Sequence, residues 1–320
     1  MEDPDGPRQG RMTDASFRSL PAAEMFTVTA RDGARLPVYA LGGPAGAPGL
    51  LVAHANGFAA GSYEPWLRAL ARDLQVFAFD ARGHGGAGWP EGALDAVFHV
   101  DRFAEDLAEV AAACAGRLPT VSLHFCGHSL GAAAALRLMG KGAAPPWVGA
   151  ILCEPPVFPP PMSRHYAAAL PEQQTLIERS AVRRDHWASA AALAAVLRGR
   201  GPFARFRPEM LEAHCRATLR PTGEGDYVLA CPPAVESIIF ASHRDADTWQ
   251  RLGASRGPIL LVSGDPSLAD AGWIACVLPD MTAAIPGARL QVLGGAGHLM
   301  IFEDPERCRA LVLEEVGRGG

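Results

Sequence analysis

An α/β fold built on a mostly parallel sheet is what this sequence predicts, on three observations. Short apolar runs alternate with helix-length segments along most of the chain. Two of those runs, Gly49–Ala53, which is apolar throughout, and Gln75–Phe79, read as strands buried on both faces. The alternation breaks only between Pro155 and Gly257, in a stretch of helical pattern far too long for a loop.

Residues 25–30 and 35–41 read as a hairpin around the turn Arg31-Asp32-Gly33-Ala34. Residues 64–72 have helical spacing, with Trp66, Leu67, Leu70 and Ala71 apolar. Gln75–Phe79 runs into Asp80-Ala81-Arg82-Gly83-His84-Gly85. Residues 102–114 form an amphipathic helix with Asp101 as its expected cap. A strand at 121–126, the pentapeptide Gly127-His128-Ser129-Leu130-Gly131, an alanine-rich helix at 132–139 and a strand at 149–153 follow. Beyond the interruption come a strand at 258–263, a helix at 273–285, a strand at 289–293 and a helix at 307–316. The expected organisation is a flexible tail over 1–22, a core made of 23–155 and 257–320, and a helical insertion over 156–256.

Composition narrows the function. At 320 residues, 49% hydrophobic and 20% charged, the chain has ordinary globular composition. A net charge of -5 argues against nucleic acid or an anionic membrane as the main partner. The arginines at 183–184 and 198–207 read as solvated helix faces or local ion pairs. Seven scattered cysteines without a C-x-x-C pair suit reduced thiols better than a disulfide framework or a metal site. No apolar run is long enough to span a membrane, and the polar N-terminus lacks a secretory h-region. The expected setting is the cytoplasm.

Strand, G-x-S-x-G, helix is the setting of a nucleophile elbow. Its glycines let helix and strand approach closely, the turn exposes the Ser129 hydroxyl, and the Leu130 N–H faces the same spot. A serine hydroxyl also needs a general base, a group that orients the base, and donors for the oxyanion. His298, in Gly297-His298-Leu299 just after the last predicted strand, is the candidate base, and the order serine before histidine suits such an elbow. The loop His54-Ala55-Asn56-Gly57-Phe58 is the oxyanion candidate, with Asn56 donating by backbone or side chain beside Leu130. Each such donor is worth roughly 3–4 kcal/mol. His84 reads as a structural turn residue and His128 as packing within the elbow. His99, His165, His186, His214 and His243 have no motif around them.

The elbow, the His54 loop, the Asp80 to Gly85 turn and Gly297-His298 together resemble the α/β-hydrolase superfamily, from about Phe26 to the C-terminus. The form His-Ala-Asn-Gly-Phe is similar to a little-characterised subfamily of bacterial and fungal hydrolases. The resemblance implies a mostly parallel, eight-stranded sheet with helices on both faces, and makes the insertion a helical cap. It carries no specificity, because the family includes esterases, lipases, thioesterases, C–C hydrolases, epoxide hydrolases and dehalogenases.

The family usually places its acid a few residues after a glycine ending the strand that follows the cap. Here Ser267 and Leu268 occupy those positions, Asp265 is early and Asp270 late. Some members, haloalkane dehalogenases among them, place the acid at the end of the strand before the cap, where this chain has Glu154. Asn56 also matches the His-Gly-Asn loop of those dehalogenases. Glu154 is preferred and Asp265 stays open. The nucleophile separates the chemistries: aspartate in dehalogenases and epoxide hydrolases of this fold, serine here, which forms an acyl-enzyme and needs a carbonyl substrate.

The expected function is therefore a serine hydrolase acting on a small-molecule ester, thioester or lactone, with no metal or organic cofactor implied and a homodimer among the allowed states. His54, Phe58 and Trp187 are expected at the substrate. Trp187, Phe203, Phe206, Tyr227, Ile238 and Phe240 are the cap's large apolar residues, and Arg183 or Arg184 could meet a substrate carboxylate. The rival readings are an acyltransferase or cyclase, a C–C bond hydrolase, and a non-catalytic binding protein on the same fold.

Overall fold

The computed structural model describes residues 17–21 and 24–318; the expected tail falls almost entirely outside them. Ser19 and Leu20, at the end of that segment, are buried in the core.

β1 (Glu24–Thr29) and β2 (Arg35–Gly42) form the expected hairpin, in register from Glu24 opposite Ala40 to Thr29 opposite Arg35. β3 (Gly49–Ala53) leads to α1 (Glu64–Leu70), and β4 (Gln75–Phe79) to the short α2 (Leu94–Val97) and the long α3 (Val100–Gly116). The cap of α3 is His99, whose ring accepts the Asp101 N–H, rather than the expected Asp101. Asp101 instead lies in the first turn and pairs with Arg137 at 2.6 Å. β5 (Leu123–His128) runs two residues further than its apolar stretch, straight into the turn before α4 (Leu130–Gly140). β6 (Ala150–Cys153) closes this half of the chain.

The insertion that follows carries α5 (Tyr166–Ala181), β7 (His186–Trp187), α6 (Ala190–Leu197), α7 (Pro208–Ala217), β8 (Leu219–Pro221), β9 (Tyr227–Leu229), α8 (Pro233–Ser242) and α9 (Ala246–Gln250). It is not wholly helical: β7, β9 and β8 make a small antiparallel sheet. Strands of two or three residues are too short to show a period, which is why the sequence pattern reads as helix alone. The chain then returns through β10 (Ile259–Gly264), α10 (Trp273–Ala284), β11 (Arg289–Leu293), α11 (Met300–Glu303) and α12 (Pro305–Arg318).

The main sheet has eight strands in the order β1-β2-β4-β3-β5-β6-β10-β11, parallel from β4 onward. Its central strands are apolar on both faces because both faces are covered. Leu51, Phe77 and Phe125 point to a layer containing Phe103 and Leu107 of α3, Leu136 of α4 and Val277 of α10. Leu50, Val52 and Val76 point to a layer containing Trp66 of α1, Met210 of α7 and Val312 of α12. Burying each such leucine or valine contributes about 1.5–3 kcal/mol. Arg82 crosses the first layer fully buried, held bidentately by Asp106 at 2.7 Å and by Asp32 at 2.8 Å. Among the described residues, no helix is long and apolar enough to cross a membrane.

Candidate active site

Three loops at the C-terminal ends of parallel strands converge on one point. The first is the turn between β5 and α4. Ser129 there has φ 50° and ψ -110°, a conformation that costs an ordinary residue about 1–3 kcal/mol. The turn survives because its surroundings hold it: the Ser129 N–H donates to Cys153 O at 2.8 Å, and the Gly131 N–H to His54 O at 3.2 Å. Gly131 has no substitute here, since a Cβ on it would lie 2.5 Å from the Ala53 Cβ. The close approach of α4 to β3 thus depends on the glycine that ends the pentapeptide.

The second loop follows β6. Glu154 is buried at 3% exposure, with φ 42°, the only other described non-glycine residue in that region. Its Oε1 accepts the Gly264 N–H at 2.7 Å, from the end of the neighbouring β10. The third loop follows β11 and carries His298. The His298 Nδ1 lies 2.7 Å from Glu154 Oε2, and its Nε2 lies 3.2 Å from Ser129 Oγ. The carboxylate accepts from Nδ1–H, which leaves Nε2 bare and facing the serine hydroxyl. Hydroxyl, imidazole and buried carboxylate therefore stand in one hydrogen-bonded line. The chemistry open to it is removal of the hydroxyl proton by Nε2, with the resulting imidazolium held by the carboxylate.

A profile of the alpha/beta hydrolase family matches residues 50–311. The chain belongs to the α/β hydrolase family. Among solved structures similar to this hydrolase, an E-2-(acetamidomethylene)succinate hydrolase aligns over 92% of this chain and 100% of its own, with TM-score 0.71 and 20% identity. A thioesterase domain from the curacin biosynthetic pathway aligns over 92% and 99%, with TM-score 0.69 and 19% identity. An enol-lactonase from Burkholderia xenovorans aligns over 91% and 100%, with TM-score 0.62 and 18% identity. At these identities the likeness is one of fold. A comparison with curated protein sequences finds no match.

The hydrolase places the other expected site residues in several different settings. Asp265 is half-buried and hydrogen-bonds to neither Ser129 nor His298: Oδ1 accepts from Ser267, Oδ2 accepts the Gly295 N–H, and these bonds, the Ser267 hydroxyl first, hold its carboxyl below the usual range. The His54 ring is spent on backbone, Nδ1–H to Ala55 O and Nε2 accepting the Ala81 N–H, and burial lowers its pKa. It positions the loop and has no nitrogen left for a substrate. The Asn56 side chain is also engaged: Nδ2 donates to Glu236 O at 2.9 Å in the insertion, and Oδ1 lies beside His84. The Asn56 and Leu130 backbone N–H groups, by contrast, have no hydrogen-bond partner among the described residues. Phe58 packs on His214, Phe302 and Tyr63. Trp187 lies in the apolar layer that the insertion shares with the main sheet, with Arg184 over its ring, so neither aromatic is set apart for a ligand.

Four neighbours come into view in the structure, of which the sequence pattern singles out only Arg183, as a candidate partner of a substrate carboxylate; in the structure it pairs with Glu236. The Glu236–Arg183 ion pair closes over Gly57, where a Cβ would come within 2.6 Å of Glu236 Oε1. Glu303 accepts the Gly297 N–H at 2.8 Å beside His298, and Arg205 of the insertion grips it. Only contacts across long sequence separations reveal these groups; no local motif marks them.

Proposed function

We propose that this α/β hydrolase is a serine hydrolase that cleaves a carboxylic ester, thioester or lactone of a small molecule through an acyl-enzyme on Ser129. The observation that carries this reading is the line Ser129 Oγ, His298, Glu154, with separations of 3.2 and 2.7 Å.

Ser129 Oγ attacks the substrate carbonyl carbon as His298 Nε2 takes the hydroxyl proton. Glu154 stabilises the imidazolium and keeps Nδ1 protonated. The carbonyl oxygen, now an oxyanion, is received by the unengaged N–H groups of Leu130 and Asn56. When the tetrahedral intermediate collapses, the bond to the leaving alcohol, thiol or enol breaks, and Nε2 returns the proton to the departing atom. Water then attacks the acyl carbon, giving its proton to Nε2 and restoring Ser129 with release of the acid. In this reading the insertion is the cap that bounds the acyl pocket, Glu154 is the acid, and the Asn56 loop acts through its backbone.

Two measurements test it together: turnover of p-nitrophenyl esters of graded chain length, and covalent labelling by a fluorophosphonate. Turnover should vanish in Ser129→Ala, and the label should map to Ser129. A wild-type protein that is neither labelled nor more active than Ser129→Ala sinks the proposal.

A further inference from the structure

Beneath the elbow, two buried side chains join the loop after β3 to the loop that carries His298. The Ala55 N–H donates to Tyr63 Oη at 3.1 Å. Tyr63 Oη lies 2.7 Å from His128 Nδ1. The other nitrogen, His128 Nε2, lies 2.9 Å from the carbonyl oxygen of His298. Every hydrogen in this line can be assigned. A carbonyl only accepts, so His128 Nε2 carries a hydrogen. Burial, reinforced by the nearby His298, pulls the His128 pKa down to about 3 and keeps the ring neutral. A neutral ring with Nε2–H has a bare Nδ1, so the Tyr63 O–H must donate to it. Tyr63 accepts from Ala55 and donates to His128, and His128 donates to His298.

We propose that Tyr63 and His128 are positioning residues that hold the backbone of His298 and the backbone of the Ala55-Asn56 loop at a fixed separation across Ser129. The inference rests on the serine-hydrolase reading above and deepens it: the base and one oxyanion donor are registered against each other by a single line. Neither residue touches substrate. The line fixes the His298 Nε2 to Ser129 Oγ distance and keeps the Asn56 N–H aimed, both of which acylation needs. A misplacement of about 1 Å at such a site costs about 100-fold.

Tyr63→Phe removes the hydroxyl and keeps the ring, which packs on Phe302 at 4.7 Å and His128 at 5.9 Å. Without the hydroxyl, His128 Nδ1 loses its donor and the Ala55 N–H its acceptor, so the line is cut and only the His298 carbonyl still orients the His128 ring.

The decisive experiment measures the second-order rate of Ser129 phosphonylation by a fluorophosphonate, with kcat and KM for the best p-nitrophenyl ester. Tyr63→Phe and His128→Phe should each lose about 10- to 100-fold in labelling rate and kcat, with KM unchanged. The double variant should lose no more than the worse single one, because both break the same line. His128→Gln, whose amide N–H can still donate to the His298 carbonyl, should recover most of the loss. Nitrogen-15 NMR of the His128 ring should show the Nε2–H tautomer in the wild type. Labelling of Tyr63→Phe at the wild-type rate, an Nδ1–H tautomer, or a His128→Gln as poor as His128→Phe overturns the positioning role while leaving the hydrolase reading intact. A wild-type protein that is not labelled at all removes the hydrolase reading and this inference with it. If Tyr63→Phe fails to fold, the two His128 variants decide.

Discussion

Replacing Glu154 by Gln tests the site at its least forgiving point. The carboxylate accepts two N–H groups at once, Gly264 N–H at Oε1 and His298 Nδ1–H at Oε2, both at 2.7 Å. An amide has one acceptor oxygen and can serve only one of them. If the oxygen stays with Gly264, the amide N–H faces Nδ1 and forces the imidazole into the tautomer that cannot take the Ser129 proton. If the oxygen turns to His298, two N–H groups confront each other in a site that is 3% exposed. The lost charge matters as well. An imidazolium and a carboxylate about 4 Å apart interact by about 4 kcal/mol at an effective dielectric of about 20. That figure alone equals about three powers of ten in rate, and the tautomer error brings the expected loss in kcat to about 10³–10⁴-fold. The assay is p-nitrophenyl ester turnover, with Ser129→Ala as the floor and Asp265→Asn as the control, expected within about threefold of wild type because Asp265 bonds only its own turn and the Gly295 N–H and touches neither Ser129 nor His298. A Glu154→Gln enzyme that retains more than a tenth of wild-type kcat, or an Asp265→Asn enzyme that falls further than it does, refutes the assignment of the acid.

Stability should fall with acid in a defined window. Burial holds His84, His128 and His214 neutral down to about pH 3 and His243 to about pH 4. The unfolded chain takes up those protons below about pH 6.5, so each group removes up to about 1.4 kcal/mol of stability per pH unit as the pH drops further. Tm should decline steadily from pH 6.5 to 4.5, and a flat Tm across that range contradicts neutral burial. Arg82→Met strands the buried Asp106 without its bidentate partner and should cost about 3–5 kcal/mol, a fall in Tm of roughly 5–15 °C by calorimetry. No change in Tm would show that the pair is not closed in solution. Gly131→Ala puts a methyl 2.6 Å from the Ala53 carbonyl oxygen and should cost about 1–3 kcal/mol. It should also lower kcat at least about tenfold by shifting the Leu130 N–H, and a fully active variant would show that α4 and β3 can separate without consequence.

Most of the fold was legible because its central strands are buried on both faces and the exposed edge strand β11 is set off by glycines at 287 and 294. Gly49–Ala53, Gln75–Phe79 and Arg289–Leu293 carry the same bounds in the structure as in the sequence pattern. The little sheet of the insertion was not legible, since two or three residues cannot display alternation. Ser129 and His298 stood out because each lies in a glycine-flanked turn directly after a strand. The choice between Glu154 and Asp265 stayed open in the sequence, because both follow strands that lie next to each other in the sheet. What separates them is three-dimensional: Glu154 turns back under Gly264, while Asp265 turns outward to Gly295. Tyr63 carries no signature at all, since its partner belongs to an element far along the chain.

The insertion's apolar residues do not form a core of their own. Phe158, Val235 and Ile239 join the layer on one side of the main sheet, and Phe206, Met210 and Leu219 join the layer on the other. Arg137, in the last turn of α4, is clasped by Asp245 and Asp247 near the insertion's far end. The chain between β6 and β10 is therefore not a module that can be exchanged between relatives as a cassette. Excising it would uncover apolar area on both layers and leave buried Arg137 with Asp101 alone of its three carboxylate partners, so core and insertion should melt in one calorimetric transition rather than two.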